Sequence, residues 1–199
     1  MNKEVSSTTV IGKGNWIDLK RVEVTDNGKK LADWEYATRC RGGNPVQVIP
    51  WYKDDNGSLH VILVKQFRPA LNAKVIEFPA GLQEAGETPK QAALRELKEE
   101  TGYGTDRDDT VDDAAVLLGS EDECRQLFPI SAGMSDEQCS FVLVNVDSTP
   151  GKQDLQDDES IEVIDFNVAT ACIDNYVNAD TRVSASVALW LFGFAVGQC

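Results

Sequence analysis

The stretch from Thr88 to Gly102, TPKQAALRELKEETG, constrains this chain more than any other, because it specifies a helix whose two ends and two faces can all be read. Thr88 is suited to cap it, Pro89 to fill its first position and Gln91 to complete a capping box. Gly102 is placed to end it, since glycine takes the left-handed conformation at little cost. At ~100° per residue, Ala93, Leu94, Leu97 and Thr101 form one arc, predicted to face the core. Glu96, Glu99 and Glu100, with Ala92, form the adjacent arc.

Like charges three and four residues apart on a helix repel by a few tenths of a kcal/mol per pair. Three carboxylates on one stripe therefore call for something that neutralises them. Hard divalent cations such as Mg²⁺ take oxygen ligands, and bind through a few carboxylates plus substrate phosphates. A solvated acidic face is the plainer reading of an isolated Glu-Glu pair, but two neighbours shift the balance here. Arg95 can pair with Glu99 one turn on, and the upstream loop FPAGLQEAGE brings backbone carbonyls near the stripe.

The chain has 199 residues, room for one good core or for a domain with a small appendage. Its net charge of −14 argues against a broad nucleic-acid-binding surface. Much of that acid lies in the runs TDRDDTVDD (105–113) and DLQDDES (154–160), the first read as solvated loop. The single histidine, His60, sits in a strand-like run and is expected to be structural. Serine–histidine catalysis and His-rich zinc sites are thereby disfavoured, leaving carboxylates for any demanding chemistry. An odd count of 5 cysteines without a CxxC pair predicts a reduced, intracellular chain, cytoplasmic or alternatively nuclear. No apolar run follows Lys3, so no secretory signal is expected. The apolar run Val183 to Val196 is short for a bilayer span and reads as a buried helix, with a subunit interface as a further role. No membrane partner is expected.

Residues 1–10 are polar and expected to fray. A hairpin follows, with Asn27-Gly28 at its turn, and RGGNP (41–45) reads as a linker. A small N-terminal β unit is therefore placed at 1–43 and the main domain at 44–199. In the main domain, VQVIPWY and SLHVILVKQFRP are strands joined by KDDNG. KVIEFPAG is a short strand, further strands fall near 115–119, 139–146 and 161–166, and two helices close the chain at about 168–177 and 181–196. This mixture predicts an α/β fold with a mixed sheet and helices on its faces.

Residues 81–103, GLQEAGETPKQAALRELKEETGY, resemble the Nudix box at every defined position: Gly81, Glu87, Arg95, Glu96, Leu97, Glu99, Glu100, Gly102 and Tyr103. The resemblance implies a Nudix α/β/α sandwich, and an acidic stripe that holds Mg²⁺ (or Mn²⁺ in its place) against a nucleoside diphosphate. VKQFRPALNAKVIEFPAGL and GNWIDLKRVEVTDNGKKLADWEYATR are similar to the ADP-ribose and ADP-sugar pyrophosphatases, as is DTRVSASVALW near the end. The similarity runs from about Gly14 to Val196.

That resemblance implies a site, residue by residue. The N-terminal unit is exchanged across a homodimer, and Trp16 and Trp34 clamp the adenine; stacking of an aromatic on a base is worth ~1–3 kcal/mol. Packing within the hairpin is the other reading of both tryptophans. Glu35 recognises the base edge, Arg39 and Arg68 hold the diphosphate, and Leu82 and Glu137 are further substrate contacts. The metal set is the Ala80 carbonyl, Glu96, Glu99 and Glu100, with Glu77 nearby and Glu87 structural. The general base falls in GKQDLQDDESIEV, on Glu159 with Asp158 beside it, against the alternative of a plain solvated loop. ISAGMSDEQ departs from its relatives at Ser131 and Ala132, which leaves the terminal-sugar contacts open. The reading implied is a Mg²⁺-dependent ADP-sugar pyrophosphatase giving AMP and a sugar phosphate. Its rivals are a Nudix hydrolase for another nucleoside diphosphate and a sensor that binds nucleotide without cutting it.

Overall fold

The computed structural model describes residues 2–104, 115–119, 127–157 and 159–197. The acidic run 105–113, Cys124, Asp158 and Cys199 lie outside the described residues.

Strands β1 (Lys3–Gly12), β2 (Ile17–Asp26) and β3 (Lys29–Arg39) form an antiparallel sheet in that order. The β2–β3 turn is the expected one, with Asn27 at φ 50° and Gly28 at φ 75°, the pair of left-handed residues a two-residue hairpin favours. Fraying at 1–10 is corrected: β1 pairs with β2 from Lys3 opposite Asp26 to Gly12 opposite Leu19. Its Ser, Thr and Val residues suit a strand, and its polarity reflects exposure on both faces, from Lys3 to Ile11.

The second sheet has nine strands: β4 (Pro45–Lys53), β5 (Leu59–Arg68), β6 (Ala73–Glu77), β7 (Ala80–Leu82), β8 (Ala115–Leu117), β9 (Phe128–Pro129), β10 (Gln138–Asn145), β11 (Ile161–Asn167) and β12 (Thr181–Val183). Its path runs β12-β6-β5-β4-β10-β8, with β11 on β5, β7 on β4 and β9 on β10. The β4–β10 and β6–β12 pairs are parallel and the others antiparallel, so the sheet is mixed as expected. KDDNG makes its turn through Asp54, whose Oδ1 accepts from the N–H groups of Asn56 and Ser58.

Alternation along β4 and β5 divides the apolar side chains between two cores. Val46, Val48 and Ile62 face helix α1 (Pro89–Thr101) through Ala92, Ala93 and Leu97. Ile49, Val61 and Leu63 face helix α2 (Ala185–Gly197) through Val187, Trp190 and Leu191. The result is an α/β/α sandwich. His60 is held as a structural residue. Asn167 Oδ1 accepts from the N–H groups of Ala169 and Thr170, which turns its Nδ2 toward His60 Nε2 at 3.0 Å. His60 Nδ1–H then donates to Asp165 Oδ1 at 2.6 Å, and the ring stacks on Tyr52.

The closing segment departs from expectation. Residues 168–177 make only a turn and a short 3₁₀ helix, Ile173–Asn175. Thr181–Val183 is a strand because its backbone finds Lys74–Ile76 of β6. The helix starts only at Ala185, after Ser184, whose N–H donates to Ile76 O and whose Oγ accepts from the Val187 N–H. Nor is α2 buried all round: Val187 is enclosed, whereas Leu189, Phe192 and Val196 are exposed. The N-terminal sheet touches the main sheet's loops at one line, where Ala37 N–H donates to Met134 O at 2.9 Å and Thr38 Oγ1 to Asp136 Oδ2 at 2.8 Å.

Candidate active site

Helix α1 forms as its sequence requires. Thr88 Oγ1 accepts from the Gln91 N–H, Gln91 Oε1 accepts from the Thr88 N–H, Pro89 fills the first turn, and Gly102 closes the helix at φ 74°. The faces are rotated from the sequence expectation. Ala92 and Glu100 belong to the buried face and Leu94 is only partly buried. Glu100 therefore points into the protein, with 7% of its surface exposed.

What receives Glu100 is β7. Ala80 N–H donates to Glu100 Oε2 at 3.0 Å. One residue on, Gly81 lies under Glu96 so closely that a Cβ there would sit 1.9 Å from its carboxylate. Arg95 holds the remaining acids from the side. Its Nε and Nη2 donate to the two oxygens of Glu87 at 2.8 and 3.0 Å, and Nη1 donates to Glu96 Oε1 at 2.8 Å and Glu99 Oε2 at 3.1 Å. Nη2 also donates to Leu82 O at 2.9 Å, which ties the helix to the end of β7.

This arrangement separates the acids electrostatically. Burial pushes the Glu100 carboxyl up to about 8; the Ala80 N–H opposes the shift, and the negative Glu96 and Glu159 add to it. Burial also raises Glu96, against the pull of Arg95. Hydrogen bonds from Arg95 hold Glu87 down at about 2. A site with two carboxylates whose charge is costly in isolation suits a cation.

Glu96 and Glu100 line one cleft of about 920 Å³, together with Ala80, Gly81, Leu82, Arg95 and, from a separate loop, Glu159. Glu159 Oε2 accepts from the Gln156 N–H at 3.1 Å, and its own N–H donates to Gln156 O. Among the described residues, no three His, Cys, Asp or Glu side chains converge on one point. Glu99 instead leans on Arg95, so helix α1 offers the cleft two carboxylates, Glu96 and Glu100, beside the Ala80 backbone, with Glu159 in the same lining. That set fits a hard divalent cation completed by substrate oxygens, as Mg²⁺ usually is. Beside it, Arg68 Nε donates to Glu77 Oε2 at 2.7 Å, and Arg68 is close enough to offset part of the rise at Glu100.

Other expected residues are not brought into this cleft within the chain. Arg39 lies in a neighbouring cleft of about 370 Å³, joined to the first through Gly42 and Gly43. There its Nε donates to Glu137 Oε1 at 2.6 Å. Glu35 pairs with Arg21 on the outer sheet. Trp34 lies opposite Val22 and is 52% exposed; Trp16 is 62% exposed, with the Arg41 guanidinium 5.7 Å from its ring centre. Sequence reasoning missed Gln153 and Gln156. Nothing distinguishes either glutamine in an acidic loop until the chain is folded.

The α/β/α sandwich and the acidic cleft define a class, and comparison with known proteins agrees. A family model described as NUDIX domain matches residues 44–184, so the chain belongs to the Nudix family. It is 31% identical to the putative nudix hydrolase 2 of Caenorhabditis elegans over 198 residues, 94% of this chain and 82% of that one. It is 41% identical to the ADP-sugar pyrophosphatase of Mus musculus over 103 residues, 50% of this chain and 47% of that one. Over 94 residues it is 45% identical to the ADP-ribose pyrophosphatase of Saccharomyces cerevisiae, covering 44% and 40%. The matched stretch thus spans about half the length of the mouse protein. A crystal structure described as ADP compounds hydrolase superposes with a TM-score of 0.62 at 18% identity, covering 90% of this chain and 85% of that one. That likeness concerns the fold.

Proposed function

We propose that this chain hydrolyses the diphosphate of ADP-ribose or a related ADP-sugar, releasing AMP and a sugar phosphate. The observation that carries the reading is the cleft itself. Glu96 and Glu100 come from one helix face against Ala80 and Gly81, with Glu159 in the same lining and Arg68 alongside. Relatives named for ADP-sugar and ADP-ribose pyrophosphatase activity support the substrate class.

In this reading Glu96, Glu100 and the Ala80 carbonyl hold a divalent cation, Mg²⁺ by preference with Mn²⁺ able to replace it, and Glu99 supports them from Arg95. The cation offsets the negative charge that gathers on the diphosphate. Arg68 and Arg39 grip the phosphate oxygens, where a planar guanidinium fork fits better than an ammonium. Glu159 takes a proton from the attacking water. Leu82 lines the cleft, and Glu137 serves binding through its hold on Arg39. Trp16 and Trp34 stack the adenine and Glu35 reads its edge. Because these three lie outside the cleft of their own chain, we further propose a homodimer in which the unit at 1–43 of one chain serves the domain at 44–199 of the other.

Among the described residues no helix is long and apolar enough to cross a membrane. The described cysteines are free thiols, with Cys40 and Cys172 exposed, which suits a reducing compartment such as the cytoplasm or nucleus.

Incubation with a panel of nucleotide sugars and Mg²⁺ tests the activity. ADP-ribose and ADP-sugars are expected to be cleaved fastest, to AMP and a sugar phosphate. Far faster cleavage of GDP-sugars, NADH or an oxidised nucleotide would overturn the substrate. Retention of uncleaved ADP-ribose with Mg²⁺ present would make the chain a sensor.

A further inference from the structure

The loop that carries Glu159 is sewn to the end of α1. A helix leaves its last carbonyls without partners inside the helix, and here the segment 151–154 supplies them. Asp154 N–H donates to Glu99 O at 2.9 Å, and Gly151 N–H donates to Gly102 O at 2.7 Å. Between them Gln153 Nε2 donates to Glu100 O at 2.5 Å and to Ile161 O at 3.2 Å. An amide NH₂ has two hydrogens, and both are used on backbone carbonyls. Only the nitrogen end of the side chain can face two acceptors, so the orientation of the amide is decided by chemistry.

The consequence concerns Glu159. One of the two carbonyls belongs to the residue whose carboxylate lines the cleft, Glu100. The other belongs to Ile161, two residues after Glu159 and the first residue of β11. Gln153 therefore clamps the start and the end of the Glu159 loop to the backbone of Glu100. Within the loop, the Gln156–Glu159 turn holds the Glu159 carboxylate on the cleft side. We propose that Gln153 is a positioning residue for hydrolysis, setting where Glu159 stands relative to Glu100.

This rests on the reading of Glu159 as proton acceptor. It gives Gln153 no contact with substrate, so its loss acts on turnover and not on binding. A misplacement of about 1 Å at a reacting group can cost ~100-fold in rate.

The test is a double-mutant cycle of Gln153→Ala and Glu159→Gln, read as kcat and KM for ADP-ribose with Mg²⁺. Gln153→Ala is expected to lower kcat ~10- to 100-fold while KM stays within about twofold. In the Glu159→Gln background the same change is expected to have almost no further effect, because the group it positions is already gone. Gln153→Met, which keeps the length of the side chain without its donors, should reproduce the result if the alanine variant folds poorly. Wild-type kcat in both Gln153 variants, with Glu159→Gln inactive, overturns the proposal. So does an equal loss in both backgrounds, which would mark a role in stability alone. Wild-type turnover in Glu159→Gln overturns the assignment of Glu159 and takes this proposal with it.

Discussion

Gly81 and Glu96 are in such close approach that the carboxylate fills the space a side chain on Gly81 would take: a Cβ there would lie 1.9 Å from the Glu96 Cδ and Oε1 atoms. The glycine at the head of the motif is thus a steric requirement set by the helix that passes over it. Its backbone conformation needs no glycine, since its φ is not positive.

Gly81→Ala is accordingly predicted to push Glu96 away from the cleft. Turnover should fall ~100-fold, as expected when a reacting geometry moves by about 1 Å. The far-ultraviolet circular dichroism and thermal midpoint should change little, because the displaced group is a side chain at a cleft wall. Wild-type kcat in this variant would show that Glu96 need not stand where it does.

The position of Glu100 predicts a pH dependence of stability in the metal-free protein. Its folded value of about 8 lies above the ordinary carboxyl value of 4.5, so the folded state binds the proton more tightly than the unfolded state. Stability should therefore fall as pH rises from about 4.5 to about 8, by at most roughly 1.4 kcal/mol per pH unit. Glu100→Gln should flatten this slope and be the more stable protein at pH 8, while losing turnover by orders of magnitude. Mg²⁺ should also flatten it for the unaltered chain. Urea midpoints measured across this range check the claim, and a midpoint for Glu100→Gln that tracks the unaltered chain would contradict it.

Arg95 compensates three carboxylates and the Leu82 carbonyl of β7 at once. Arg95→Ala should destabilise the fold by about 2–4 kcal/mol, because Glu87 and Glu96 are left partly buried without a counter-charge. Arg95→Lys should recover less than half of that, since an ammonium is a point charge and cannot match the fork. Chemical denaturation at pH 7 measures both. Equal stability of the lysine variant and the unaltered chain would mean that charge alone matters here.

The proposed sharing of the site between two subunits predicts complementation. Arg39→Ala and Glu100→Gln subunits, each inactive alone, should regain activity when mixed, because one of the two sites in a heterodimer is then intact. Mixed dimers confirmed by mass but as inactive as either parent would require each chain to complete its own site.

The helix at the centre of this protein was legible in the sequence because its signals are local. Thr88, Pro89, Gln91 and Gly102 act within a few residues of one another, and apolar periodicity marks the buried arc. The same holds for the Asn27-Gly28 turn and for the existence of β4 and β5 as strands joined by KDDNG, although their division between two cores came only with the fold. The sequence also announced the acidic stripe. It did not show that Glu100, placed beside Ala92 on the wheel, belongs to the buried face. That is decided by β7, whose Ala80 N–H is the partner that lets a carboxyl enter. Contacts between distant residues were silent for the same reason. Arg39 meets Glu137 across 98 positions and Gln153 meets Glu100 across 53. Arg39, Glu137 and Gln153 sit in ordinary polar loops or strand ends, and Glu100 is met at its backbone carbonyl near the end of α1, so only the tertiary fold brings each pair together. The polar first strand and the late start of α2 escaped the sequence likewise, because each is fixed by a backbone edge, β2 or β6, whose free hydrogen-bonding groups no side-chain pattern records.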